Sequence, residues 1–84
     1  DHGESLGESG IYLHGMPYLI APIEQKQVAA LMWFNEELLE LLDINIISEK
    51  IDLPLSHDNL FHTLLGIMNI KTALYQDKMD IIAQ

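Results

Sequence analysis

Glycines at positions 3, 7, 10 and 15 cut the opening stretch Asp1-His2-Gly3-Glu4-Ser5-Leu6-Gly7-Glu8-Ser9-Gly10-Ile11-Tyr12-Leu13-His14-Gly15 into short polar pieces. Such a stretch has nothing from which to build a core, and its first ten residues read as loop. What it does carry is ligand chemistry. Carboxylate and imidazole are adjacent at Asp1 and His2, a second carboxylate follows at Glu4, and a second imidazole at His14. Neutral imidazole with carboxylate is a donor set that suits zinc or a similar divalent ion. Because the chain opens on these ligands, the metal site is expected to be half of a larger one.

The rest of the sequence limits what that loop can be mounted on. A chain of 84 residues buries only about 60–65% of its unfolded surface, so its stability alone would be marginal. It has no cysteine, so no disulfide compensates. Thirteen acidic residues against four Lys and Arg give a net charge of -9. Nucleic acid phosphates and anionic lipid headgroups repel such a chain, and nucleic acid is excluded as a partner. An apolar content of 49% is too high for disorder. No apolar run approaches the ~20 residues needed to cross a bilayer. The chain has neither signal-peptide architecture nor an initiator Met, and it reads as a cut from a longer polypeptide.

Residues 11–23 are expected to be extended or turning, since Pro17 and Pro22 disfavour helix before them. Glu24 to Gln27 reads as a polar bridge. The seven-residue apolar run Val28-Ala29-Ala30-Leu31-Met32-Trp33-Phe34 fits a strand buried on both faces, with helix as the alternative that Ala, Leu and Met allow. Trp33 and Phe34 are expected in the core. Asn35 is a good N-cap, with Glu36 and Glu37 in the first turn, for a helix over about 36–43. Residues 43–52 read as a short strand or irregular chain. Ser56 caps a further helix on which Leu60, Phe61, Leu64, Leu65 and Met68 define a buried face. Gly66 permits close packing, and Asn69 is a candidate C′ residue. The tail 72–84 is a loose helix or extended chain. His57 and His62 lack the i, i+4 spacing of a helical metal pair and read as structural.

The string from Asp1 to Tyr18 closely resembles the lipid A phosphoethanolamine transferases of the alkaline phosphatase/sulfatase superfamily. The likeness continues through Ala21-Pro22-Ile23-Glu24-Gln25, Met32-Trp33 and Ser56-His57-Asp58-Asn59-Leu60-Phe61-His62-Thr63-Leu64-Leu65-Gly66. It implies an α/β fold: a fragment of a sulfatase-like sandwich with a central sheet flanked by helices, here one or two strands plus two or three helices. Residues 1–84 would be a C-terminal portion of that catalytic domain.

The function implied is transfer of phosphoethanolamine from phosphatidylethanolamine to lipid A, with resistance to polymyxin as the consequence. The enzyme would sit in the bacterial inner membrane through an N-terminal transmembrane region outside these residues, its catalytic domain facing the periplasm. The resemblance assigns Asp1 and His2 to Zn2+. It places Glu4 at an additional metal position or near the phosphate end of the substrate, and His14 against the transferred phosphate. The family's threonine nucleophile precedes this stretch, and neither Thr63 nor Thr72 matches it, so the fragment alone is expected to be inactive. Ala29 stands where relatives often have proline, and the family's usual cysteines are missing, which leaves the acceptor open. A sulfatase, a transferase with another acceptor, and a non-catalytic interaction fragment that self-associates are the alternatives.

Overall fold

Side-chain caps decide where the helices begin. The computed structural model describes residues 1–84, with helices α1 (Ile23–Lys26), α2 (Glu36–Leu39), α3 (Ile44–Ile51) and α4 (His57–Ile67) and strands β1 (Ser5–Leu6) and β2 (Tyr12–Leu13). Asn35 caps α2 by accepting from Leu38 N at 3.0 Å, and Asp43 caps α3 by accepting from Asn45 N at 2.9 Å. An N-cap takes extended backbone angles, as Asp43 does. The expected 36–43 helix is therefore held to one turn. Residues 43–52, expected to be strand or irregular, are instead the second-longest helix, because a competent cap overrides the weak helix preference of isoleucine.

Ser56 opens α4 with a capping box. Its hydroxyl accepts from Asp58 N at 3.2 Å while Asn59 Oδ1 accepts from Ser56 N at 2.9 Å. The far end closes as a Schellman motif. Asn69 N donates to Gly66 O and Ile70 N to Leu65 O, with Asn69 in the left-handed region at φ 50°. The anticipated C′ role of Asn69 is the observed one.

The chain divides into two compact units, Asp1–Trp33 and Phe34–Gln84. In the second, Ile47, Ile81 and Ile82 are buried together with Thr63, His62 and Asp80. The inward face of α4 is polar. Asn59 Nδ2 donates to Met79 O at 3.0 Å, and Ile81 N donates to Thr63 Oγ1 at 2.9 Å. The expected apolar face is the outward one: Leu60, Phe61 and Leu64 are about half exposed and Met68 more so. The tail at 79–82 brings backbone groups that must be paired when buried, and the polar stripe of α4 pairs two of them, Met79 O and Ile81 N. His62 is structural, accepting from Gln76 N through Nδ1 at 3.1 Å. Gly66 does permit close packing, since a Cβ there would lie 2.0 Å from Asp80 Oδ2. Lys50 reaches the same tail, donating from Nζ to Asp80 O at 3.2 Å and to Ala83 O.

The fold is α/β, with a two-stranded antiparallel sheet and four helices. The sheet is not at 28–34. That run is irregular, with Leu31 96% and Trp33 83% exposed, against the expectation of a buried strand and a core Trp33. A strand needs a hydrogen-bonded neighbour, and no other segment of the 84 residues pairs with this one. The expected polar bridge is α1, and the loop of the first ten residues contains β1 and a 3₁₀ turn at Glu8–Gly10. No helix is long and apolar enough to cross a membrane.

Tyr75 gives the second unit a pH dependence. Its hydroxyl donates to Asp80 Oδ2 at 2.8 Å. That bond, then burial, then the charges of Asp80 and Asp77 hold the phenol above its ordinary value of 10.0. The folded state thus keeps a proton that the unfolded chain releases. The stabilisation is complete below the ordinary value and is lost as pH rises through the raised one. Urea midpoints measured between about pH 9 and pH 11 should fall for the native chain and stay flatter for Tyr75→Phe.

Candidate metal and phosphate site

The two strands are short, and their register fixes the site. Ser5 pairs with Leu13 and Leu6 with Tyr12. One step further out, that antiparallel register sets Glu4 across from His14, and His14 Nδ1 lies 2.8 Å from Glu4 Oε2. The connecting turn depends on Gly7, which adopts φ 113°, donates to Ile11 O at 2.9 Å, and would carry a Cβ 2.9 Å from the Tyr12 hydroxyl. Glu8 adds a side-chain bond, accepting from Leu6 N at 2.7 Å. Ten residues of sequence are folded back so that ligand-type side chains face one another.

His2 joins them from the chain start. Its ring stacks on His14 with centroids 4.0 Å apart and planes at 27°. His2 Nδ1 lies 2.8 Å from Gly3 O. A carbonyl only accepts, so Nδ1 carries the proton and Nε2 presents its lone pair. This is the arrangement in which a backbone carbonyl fixes the tautomer of a metal-binding histidine. Asp1 Oδ2 is the carboxylate oxygen facing that nitrogen, 3.9 Å away. In the same way the Glu4 carboxylate engages His14 Nδ1 and leaves Nε2 free.

Ligand atoms of His2, Glu4 and His14 all lie within 4.8 Å of one another. Donors around one tetrahedral zinc are roughly 3.3 Å apart, given bond lengths near 2.0–2.1 Å. The donor chemistry therefore fits the ion, and the spacing is open by an ångström or so. The Asp1 side chain is 92% exposed and lies outside the three-residue cluster. His14 and Glu4 are 50% and 40% exposed, so their pairing is screened and adds less than about 1 kcal/mol to stability. Its importance is to orientation.

Thr63, set aside in the sequence as a nucleophile, is fully committed elsewhere. It is 1% exposed, and its hydroxyl donates to Asn59 O at 2.7 Å. Sequence reasoning missed the buried polar pair Ser5 and Gln25. Both lie in the strings that carry the family resemblance, but neither has a ligand-type or nucleophile spacing that would have paired them.

Residues 1–70 match the family model described as Sulfatase. Phosphoethanolamine transferase EptA of Escherichia coli K12 is 49% identical over 98% of this chain, and the match covers 16% of that protein. Phosphatidylethanolamine transferase Mcr-1 of Escherichia coli is 39% identical over 98% of this chain and 14% of its own length. Among solved structures, the C-terminal periplasmic domain of phosphoethanolamine transferase EptC from Campylobacter jejuni superposes with a TM-score of 0.81 and 54% identity. That likeness covers 95% of this chain and 25% of the other. These 84 residues span about one sixth of the length of the curated relatives.

Proposed function

Because the chain belongs to the sulfatase family, and its relatives there are phosphoethanolamine transferases, we propose that it supplies part of the active site of a zinc-dependent enzyme. That enzyme moves phosphoethanolamine from phosphatidylethanolamine to lipid A. The observation that carries the reading is the hairpin register that places Glu4 on His14 beside a His2 whose Nε2 is free. The name of a further relative, Kdo(2)-lipid A phosphoethanolamine 7''-transferase, supports lipid A as acceptor. The periplasmic origin of the matched structure supports a catalytic domain on that side of the inner membrane.

Asp1 and His2 would hold the metal, with Glu4 within reach of it. When bound, zinc supplies Lewis acidity to phosphoryl oxygens and favours the ionised form of a hydroxyl nucleophile. That nucleophile would be a threonine from outside these 84 residues. Its oxygen forms a bond to phosphorus while the bond to the diacylglycerol oxygen breaks, and diacylglycerol leaves with a proton. A lipid A phosphate oxygen then takes the phosphoethanolamine and restores the threonine. With its Nδ1–H held by the Glu4 carboxylate, His14 donates from Nε2 to the charge that develops on the transferred phosphate when the ring carries both protons. The product carries an added ammonium group, which offsets phosphate charge on the outer surface and weakens its hold on cationic peptides such as polymyxin.

The test is mass spectrometry of lipid A from cells that make the full-length protein, with zinc content measured in parallel. Phosphoethanolamine-bearing lipid A and zinc near one ion per chain are expected. Hydrolysis of sulfate esters without that product would replace the reading with a sulfatase. Neither activity, together with no zinc, would leave an interaction module.

A further inference from the structure

We infer that Gln25 is the positioning residue of the His2–Glu4–His14 cluster: it ties both arms of the hairpin to one buried point. A two-stranded hairpin is marginal by itself in water, and this one has two residue pairs in its ladder. Something outside the ladder must fix how its arms lie. Gln25 is buried at 6% exposure, and both its side-chain bonds go to those arms. Its Nε2 donates to Ser5 Oγ at 3.0 Å, and its Oε1 accepts from Met16 N at 3.3 Å. Its backbone carbonyl accepts from Gly3 N at 2.9 Å. Gly3 stands between His2 and Glu4, Ser5 follows Glu4, and Met16 lies two residues beyond His14. No other residue outside the hairpin bonds to both arms.

Gln25 has no hydrogen bond to the side chains of His2, Glu4 or His14. It acts through the backbone that carries them. An apolar side chain of similar volume leaves the Ser5 hydroxyl and the Met16 amide unpaired, and buried groups of that kind are costly to leave so. The arms then separate to find water. A glutamate keeps both ties, since a carboxylate accepts from Met16 N and from a rotated Ser5 hydroxyl.

The experiment compares Gln25→Leu and Gln25→Glu in the full-length protein by two measurements. The first is the rate at which diethylpyrocarbonate modifies each histidine, read by peptide mass spectrometry, with exposed His57 and buried His62 as internal references. The second is zinc affinity, the arm that rests on the function proposed above. In Gln25→Leu, His2 and His14 should react several-fold faster as their stacked faces part, with His57 and His62 unchanged. Zinc should bind about tenfold or more weakly, the usual cost of losing a group that orients ligands. Gln25→Glu should return both toward native values. Native rates at His2 and His14 in Gln25→Leu would overturn the inference, as would an equal acceleration of all four histidines, which marks general loosening. A native protein that takes up no zinc sinks the metal reading alone, and the labelling pattern still decides the role of Gln25.

Discussion

Gly3→Ala should remove most of the activity and much of the stability of the first unit. A Cβ at this position would lie 2.0 Å from the Glu24 carbonyl oxygen and 2.6 Å from that of Gln27. Both are backbone atoms of α1 and its C-cap, so no side chain can swing aside. The turn must retreat by more than an ångström, which also breaks the Gly3 N to Gln25 O bond. Overpacking of this kind costs about 1–3 kcal/mol, and the lost bond adds about 1 kcal/mol. Gly3 is flanked by His2 and Glu4, so the same displacement reaches the site. A misplacement near 1 Å lowers a rate by about 10²-fold. Chemical denaturation and lipid A modification, measured on the same preparation, should report both losses. Native stability and turnover in Gly3→Ala would show that α1 does not seat on the loop.

Replacing Asp1 and His2 together by alanine should have the largest effect on catalysis. His2 Nε2 and Asp1 Oδ2 face each other at 3.9 Å, and with both gone the adjacent imidazole–carboxylate pair is lost. A bound metal contributes several kcal/mol of transition-state stabilisation, so turnover should fall by about 10³-fold or more. Zinc content should fall with it. Stability should change little, since the Asp1 side chain is 92% and the His2 side chain 44% exposed and surface contacts of this kind are worth under about 1 kcal/mol. His14→Ala should instead keep zinc and lose turnover. The double variant and His14→Ala therefore separate the role of holding an ion from that of contacting phosphate. Full activity in the Asp1/His2 double variant would falsify the proposed function.

What could be read from the residues alone was local. Asn35, Ser56 and Asn69 perform the cap roles their types suggest, because a cap is a contest between one side chain and the nearest backbone. Pairing and burial were another matter. The run 28–34 has the composition of an inner strand, yet composition supplies no neighbour, and without one the run stays open to solvent. The leucines and Phe61 of α4 have helical spacing, but the polar stripe of Asn59 and Thr63 won the inner face because the tail needed hydrogen-bond partners.

The candidate site divides the same way. By itself the sequence determined its chemistry: Asp1, His2, Glu4 and His14 are the side chains present in the opening stretch, and imidazole with carboxylate is a zinc-type donor set. Only the tertiary structure decided that Glu4 and His14 meet across a hairpin, that His2 stacks on the pair, and that Gln25 pins both arms. Residue type is a property of one position, whereas a register is a relation between two. Ten residues separate Glu4 from His14, and nothing in either one specifies the turn that joins them.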